Sequence, residues 1–337
     1  MTTEVDKLIV LINTAELSNI ELALIMAKEL NILQQVFSPY RRLSKLKNIP
    51  FHENAVFLHK MVNSNYVNID NKSIKCFPEG LTQMTWIKVL YADDNLIKEL
   101  PDDLTKLTSL NTISLYNNPI GRLPTTIWKY PALKNLFIGK ISLYELPEIT
   151  EENSMLNILS LPENHLSELP ESISLLQNLE ELYLSSNKFC KFPEQISGMK
   201  LKRLDMSSNE LNAIPETITG LKELKVLMIQ NTGLKFLPDN FANLDKLRFL
   251  DLSINSFTEI PEPLFEMDSL VMVELSRNNI RLETALEWAN LELLMNSLPN
   301  LQELRLGWNI IGDIPEIFKT GPLSNRVMLE EEEFGEY

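Results

Sequence analysis

A short pattern of residues recurs along most of this chain at an almost constant spacing. The stretch LEELYLSSNKFCKFP, residues 179–193, shows it clearly, with apolar residues at alternate positions, an asparagine at Asn187 and a proline six residues later at Pro193. Aligned on the asparagine position, eleven such units follow one another at steps of 23 residues, apart from one step of 22 and one of 31. A fixed period in this range is typical of a solenoid, in which each unit packs on its two neighbours.

The asparagine position of the pattern predicts an internal ladder of side chains. Eight units carry the asparagine itself, at Asn95, Asn118, Asn164, Asn187, Asn209, Asn255, Asn278 and Asn309. Lys72, Ile141 and Thr232 replace it in the other three units. We expect each amide to bond backbone groups where the chain turns away from its strand, because the sheet leaves those groups unpaired. Where Ile141 interrupts the ladder, we expect local irregularity.

Apolar residues before each asparagine predict a short parallel strand in every unit, about eleven strands in all, with alternate side chains directed into the core. A proline follows in ten of the units and favours an extended segment that leads away from the strand. We assign residues 64–321 to these repeats. In the one 31-residue step, residues 282–298 read LETALEWANLELLMNSL and predict a helix, so that residues 279–300 form an atypical helical repeat.

The two ends of the chain lack the repeat. The stretch IELALIMAKEL, residues 20–30, is apolar almost all round, and we expect this helix to be buried on more than one side. Because an open solenoid exposes an apolar end, we predict that residues 1–63 form an N-terminal helical cap. Residues 322–337 finish with LEEEEFGEY and are predicted to be an acidic tail.

The charge of the chain restricts the kinds of partner it can have. Its formal net charge is −15 at pH 7, which disfavours nucleic acid and anionic membranes and favours a basic protein partner. An ordinary acidic surface without such a partner is the alternative. No apolar run reaches the roughly 20 residues that cross a bilayer.

Cysteine usage and the N-terminal residues predict where the protein resides. Cys76 and Cys190 are the two cysteines, and they lie five units apart, too far to form a disulfide. The N-terminus has no basic region of the kind that begins a signal peptide. We therefore expect a cytoplasmic protein, with signal-independent secretion as an alternative, and we expect a monomer.

Side chains suited to catalysis or metal binding are few. The three histidines, His52, His59 and His165, have no pairwise spacing typical of a metal site, and no glycine-rich phosphate loop is present. We therefore predict no enzymatic activity and no cofactor. Asp70 and Asp93 occupy equivalent strand positions in neighbouring units, about 5 Å apart in a sheet. We interpret them as solvated acids, with a site for a hard cation as the alternative.

The residues that point outward from the predicted strands carry the functional hypothesis. Large apolar side chains cluster at these positions, namely Tyr66, Tyr91, Tyr116, Phe137, Ile158, Tyr183, Met228, Phe249 and Met272. In the last unit, Trp308 lies three residues after the outward residue Arg305. Aromatic side chains grouped on a rigid sheet are typical of binding hot spots. Our hypothesis is that Tyr91, Phe137 and Tyr183 anchor a partner segment that crosses the strands, whereas incidental exposure or self-association is the alternative.

The unit LPESISLLQNLEELYLSSNKFCKFP resembles the 23-residue leucine-rich repeats of intracellular proteins. The most similar types are the Ras-suppressor-like and plant Ras-group repeat proteins and many bacterial cytoplasmic or effector proteins, and the resemblance covers roughly residues 64–320. It implies an α/β leucine-rich-repeat solenoid shaped as a horseshoe, with a parallel sheet on the concave face and irregular or 3₁₀ segments on the convex face.

The same resemblance implies a role. Members of this family mostly act as protein-binding scaffolds without enzymatic activity, so we expect this chain to bind a partner protein on its concave face. The alternative is a bacterial effector that engages a host regulatory protein through the same surface.

Overall fold

A computed structural model describes residues 3–78, 80–149 and 155–329. The chain divides into two compact units, of which the first ends at Asn164 and the second begins at His165. Helices and the first repeats form the first unit, and the remaining repeats form the second.

The first unit begins with four helices, α1 to α4, at Glu4–Ile12, Leu17–Glu29, Leu33–Leu46 and Ala55–Val62. A capping box starts α1: the Thr3 side chain accepts the backbone N–H of Asp6, and the Asp6 carboxylate accepts the backbone N–H of Thr3. The helices are joined to the repeats at a close contact. Gly80, with φ of 85°, passes so near Pro39 that an added Cβ would lie 2.9 Å from the proline ring, and the Asn13 side chain donates to the carbonyl of Gln83 at 2.6 Å.

Helix α2 differs from the expectation drawn from its composition. Ile20, Ala23 and Ala27 are fully buried, but Leu22 and Ile25 on the opposite side are 49% and 57% exposed. The expectation of burial on several sides was wrong, because α1, α3 and α4 all pack on the face that carries the alanines. Glu16 is the N-cap residue of α2, but its side chain forms no capping hydrogen bond with the helix.

Five parallel strands follow in the first unit, β1 to β5, at Tyr66–Asn68, Val89–Tyr91, Thr112–Ser114, Asn135–Phe137 and Ile158–Ser160. Each residue pairs with its equivalent one repeat later, as Val67 does with Leu90. The middle residue of each strand is buried, which places one apolar side chain per repeat in the core. Three 3₁₀ helices run on the other side, at Leu81–Gln83, Asp102–Lys106 and Thr125–Lys129.

The second unit continues the same pattern with strands β6 to β10 at Glu181–Tyr183, Arg203–Asp205, Val226–Met228, Phe249–Asp251 and Met272–Glu274. Its five 3₁₀ helices lie at Glu171–Leu175, Glu194–Ile196, Glu216–Gly220, Asp239–Asn243 and Glu262–Glu266. Then come β11 at Arg281–Leu282, α5 at Ala285–Ser297, β12 at Glu303–Arg305, β13 at Ile310–Ile311, α6 at Glu316–Lys319 and β14 at Val327–Met328. Strands β12 and β14 extend the main parallel sheet of this unit, whereas β11 and β13 pair separately. The predicted repeat sheet is confirmed in each unit.

Helix α5 occupies the 31-residue step in which the sequence predicts a helix. A capping box between Thr284 and Glu287 begins it, and Trp288 on its buried side packs against Phe318 with ring centroids 5.2 Å apart. Leu291, Leu294 and Met295 are also buried. Leu286, in the first turn of the helix, is 71% exposed.

The segment predicted as a tail begins with further structure. Strand β14 pairs with β12, and the guanidinium of Arg326 donates to the carbonyls of Leu298 and Leu301. The glutamate-rich residues 330–337 lie outside the described residues. The same holds for residues 150–154, next to the unit in which the ladder is interrupted by Ile141.

The ladder asparagines join each repeat to the one before it. The Asn118 side chain accepts the backbone N–H of Ile97 at 3.1 Å and donates to the carbonyl of Ala92 at 2.9 Å, both in the preceding repeat. Thr232 makes a reduced version of these contacts, because its hydroxyl donates to the Ile229 carbonyl of its own repeat at 2.7 Å. The structure thus places the amides where strands end and backbone groups lack sheet partners.

The residue just before the ladder position adopts a left-handed conformation in all eleven repeats, with φ between 52° and 60°. In the first unit these residues are Asn71, Asp94, Asn117, Lys140 and Glu163, and in the second unit Ser186, Ser208, Asn231, Ile254, Arg277 and Trp308. Asparagine, aspartate and glycine tolerate this conformation best, whereas a β-branched or bulky residue is strained in it. Ile254 and Trp308 are therefore unusual at this position.

Candidate functional site

The outward side chains of the strands form the candidate site, here named the strand face of each unit. On the first unit the face contains Tyr66, Tyr91, Tyr116, Phe137 and Ile158. Tyr66 is 40% exposed and the other four are partly exposed. The rings of Tyr66 and Tyr91 pack edge to face, with centroids 5.6 Å apart. Such packing holds the two rings in place and leaves their remaining surface open to a partner.

Tyr116 is fixed by contacts that reach across two repeats. Its hydroxyl donates to the carboxylate of Glu163, and this hydrogen bond raises the pKa of Tyr116 to about 12. Its ring lies over Gly139 and Pro162, so closely that a Cβ on Gly139 would be 2.8 Å from the ring. The absence of a side chain at Gly139 therefore allows Tyr116 to lie flat along the face.

Asp70 and Asp93 share this face in a chain of hydrogen bonds. The Asp70 carboxylate accepts the backbone N–H of Asp93 at 2.7 Å, and the Asp93 carboxylate accepts the backbone N–H of Tyr116 at 2.7 Å and the Ser114 hydroxyl at 2.6 Å. Burial raises the pKa of Asp93, and the negative charge of Asp70 adds to that effect. We interpret both acids as caps for the next strand, and a cation site there stays an alternative.

On the second unit, the predicted residues Tyr183, Met228, Phe249 and Met272 all lie on the strand face and are partly exposed. The Tyr183 hydroxyl donates to Glu181 at 2.6 Å, and burial together with this bond raises the pKa of Tyr183 to about 12. Tyr91 and Phe137 belong to the first unit and Tyr183 to the second, so a partner segment anchored by all three stays a prediction.

Three strands of the second unit end in an outward acid, at Asp205, Asp251 and Glu274. Asp205 and Asp251 each accept the backbone N–H and the hydroxyl of the serine two residues later, at distances between 2.6 and 2.9 Å. Glu274 lies 3.7 Å from Arg305, which also donates to Glu303 at 2.5 Å. Burial raises the pKa of both Asp251 and Glu274; the negative charge of Asp205 adds to the effect on Asp251, and that of Asp251 adds to the effect on Glu274.

Asp251 and Glu274 border a cavity of about 420 Å³ on the strand face of the second unit. Its lining includes Phe249 and Met272, which the sequence predicts as binding residues, together with Ile254, Arg277 and Trp308. The guanidinium of Arg277 lies over the ring of Trp308, 5.4 Å from its centroid. Sequence reasoning missed Ile254 and Arg277. The sequence carries no signal for Arg277. For Ile254 it shows a large apolar residue before a ladder asparagine, where most other repeats carry small or polar residues, but this does not by itself indicate binding.

The described residues give little support to a metal site or to a membrane-spanning helix. Within residues 3–78, 80–149 and 155–329, no group of three or more histidine, cysteine, aspartate or glutamate side chains is arranged to hold a metal ion. His165 is exposed, and His52 packs beside the ring of Phe57 at 5.5 Å. Among the helices of the described ranges, none has the length and apolar character needed to cross a membrane.

Comparison with known protein families identifies the type of repeat. Two family models match the chain, both described as leucine-rich repeat, one at residues 199–257 and the other at residues 178–199. No curated protein sequence matches it.

Solved structures match over most of the chain. A leucine-rich-repeat protein of Leptospira interrogans is 27% identical, with a TM-score of 0.66, over 79% of this chain and 77% of that one. The internalin InlF of Listeria monocytogenes shares the fold, with a TM-score of 0.65 at 17% identity, over 90% of this chain and 98% of that one. A chain of the Toll–Spatzle complex of Drosophila is 26% identical, with a TM-score of 0.61, over 72% of this chain and 34% of that one.

Proposed function

We propose, since this chain is a leucine-rich-repeat protein, that it is a non-enzymatic scaffold that binds another protein through its strand face. The observation that carries the proposal is the set of large apolar side chains that remain partly exposed on rigid strands. The rings of Tyr66 and Tyr91 pack edge to face, and Tyr116 is held by Glu163. Side chains that are ordered before binding lose little conformational entropy when a partner arrives, which makes them effective anchors.

The charge of the face supports a basic partner. At the outward strand positions of the second unit the acids outnumber the bases: the acids are Glu181, Asp205, Asp251, Glu274 and Glu303, and the bases are Arg203 and Arg305. Together with the net charge of −15, this pattern would speed the encounter with a positively charged protein and make the rate fall with added salt.

The similar structures and the cysteines add further support. The Drosophila match is one chain of a complex with a second protein, which agrees with a binding role for this repeat fold. Cys76 and Cys190 are both exposed free thiols, which favours the reducing conditions of the cytoplasm.

The test is affinity capture from native lysate with variants of each face. One variant carries Tyr91→Ala and Phe137→Ala in the first unit, and another carries Phe249→Ala and Met272→Ala in the second. As a matched control, Tyr144→Ala and Phe236→Ala remove two aromatic side chains that are 68% and 62% exposed but lie outside the strands. All variants should keep the circular-dichroism spectrum of the wild type.

We expect at least one strand-face variant to lose a protein that the wild type and the control variant both capture. If both strand-face variants capture the same proteins as the wild type, the proposal is wrong. Capture from the lysate of a host cell alone would favour the alternative of a bacterial effector that engages a host regulatory protein.

A further inference from the structure

We propose that the cavity on the strand face of the second unit receives an arginine or lysine side chain of the partner protein. This inference rests on the proposed function and makes it more specific. The cavity is the part of the face that recognises positive charge, and Asp251 and Glu274 are the residues that determine this preference.

The cavity has room for a long side chain together with neighbouring residues of a partner, and its lining suits such a side chain. Its volume of about 420 Å³ lies within the range of small-ligand sites, well above the volume of a single amino-acid side chain. Phe249 and Met272 are paired neighbours on adjacent strands and provide an apolar surface. Asp251 and Glu274 are the next outward pair along the same two strands. A long cationic side chain matches this arrangement, because its methylene groups pack on apolar surface while its charge meets the carboxylates.

The cavity is lined by two acids and two arginines, so the contacts that the arginines already make determine which charge it attracts. Asp251 and Glu274 line it, and Asp205 lies close enough to Asp251 to raise the pKa of that carboxyl. Among the bases that line the cavity, Arg305 is shared between Glu274 and Glu303, and Arg277 is stacked on Trp308. Half-buried carboxylates have lost part of their hydration, so an incoming guanidinium or ammonium group restores favourable interactions that water no longer supplies.

The residues at the edge of the cavity point to contact with a partner as well. Ile254 and Trp308 are 45% and 47% exposed, and both adopt the left-handed conformation that the other repeats mostly give to small or polar residues. The backbone conformation is common to the repeats, so the difference lies in the side chains. At Ile254 and Trp308 they are large and apolar, and both border a cavity that contains two acids.

The experiment uses the full chain and a labelled heptapeptide in which leucine alternates with arginine. Matched peptides carry citrulline, the neutral isostere of arginine, or glutamate at the same positions. Binding is measured by fluorescence anisotropy for the wild type, for Asp251→Asn combined with Glu274→Gln, and for Asp205→Asn. The last is the matched control, because Asp205 makes the same serine contacts as Asp251 but does not line the cavity.

We expect the wild type to bind the arginine peptide about tenfold more tightly than the citrulline peptide, a difference of about 1.4 kcal/mol. The double variant should lose this preference, and Asp205→Asn should keep most of it. Equal binding of the two peptides, a preference that survives in the double variant, or no binding of the arginine peptide at about 1 mM would each overturn the inference.

Capture from lysate separates this inference from the proposed function. If the double variant still captures a partner that the Phe249→Ala and Met272→Ala variant loses, then the strand face binds a protein but the cavity does not recognise its positive charge. If neither strand-face variant loses a partner, the proposed function itself is wrong.

Discussion

Replacing Asn278 with alanine should destabilise the second unit strongly, because this amide connects two neighbouring repeats. Its Oδ1 accepts the backbone N–H of Phe257 at 3.1 Å, and its Nδ2 donates to the carbonyls of Leu252 at 3.0 Å and Leu275 at 2.9 Å. The side chain is 7% exposed, so water has little access to the groups it serves.

The contacts that remain after the substitution determine its cost. The Leu252 carbonyl also accepts from Asn255, and the Leu275 carbonyl from Asn309, so both keep one donor. The N–H of Phe257 loses the acceptor that Asn278 supplies, at about 1–3 kcal/mol for an unsatisfied buried group. With about 0.5–1 kcal/mol for each of the two weakened carbonyls, the total is roughly 2–5 kcal/mol.

The neighbouring residue provides the control. Asn279 has the same side chain but is exposed, and Asn279→Ala should change the free energy of unfolding by less than about 0.5 kcal/mol. The assay is urea unfolding followed by circular dichroism, with amide hydrogen exchange at Phe257 as a local measure. If Asn278→Ala and Asn279→Ala unfold at the same urea concentration, the ladder contributes nothing to stability and this reasoning fails.

Three further results follow from contacts on the strand face. Glu163→Ala removes the acceptor and should lower the pKa of Tyr116 from about 12 towards its ordinary value, as measured by ultraviolet titration; an unchanged titration would show that this hydrogen bond is not the cause. Gly139→Ala should cost about 1–3 kcal/mol of stability, measured by urea unfolding, because its Cβ would collide with the Tyr116 ring; a neutral result would contradict the close packing. Asp251→Asn should stabilise the protein at pH 7 and lose this advantage as the pH falls through the raised pKa of Asp251. A carboxyl with a raised pKa binds its proton more tightly in the folded state than in the unfolded state. The stability of the wild type therefore decreases as the pH rises through that pKa. Urea unfolding of both proteins at pH 7 and at a pH below the raised pKa tests the sign.

The repeat spacing predicted the strand register well, for a physical reason. In a solenoid each unit pairs with the next, so residues 23 positions apart become neighbours, as Leu90 and Ile113 do. The positions of the ladder asparagines follow from the same regularity. The helix at Ala285–Ser297 was also predictable, because a longer step leaves room for an element that the other repeats lack.

Other features of the site depend on contacts that no local pattern encodes. Glu163 holds Tyr116 from 47 residues away, and this pairing depends on the small residue at Gly139. The apolar composition of α2 indicated a helix but not how many of its sides have neighbours, so the exposure of Leu22 and Ile25 was not foreseen. The cavity on the second unit combines residues from several repeats, including Ile254, whose place in the ladder pattern gives no sign of binding by itself.

The most direct test of protein binding by the strand face is site-specific photo-crosslinking in native lysate. A benzophenone amino acid is introduced at Tyr91 or at Phe249, and in matched controls at Tyr144 or at Phe236. Our account predicts that one protein is crosslinked from at least one strand-face position and from neither control position, and that added salt weakens the signal. Crosslinking to the same proteins from all four positions, or from the control positions alone, would contradict it.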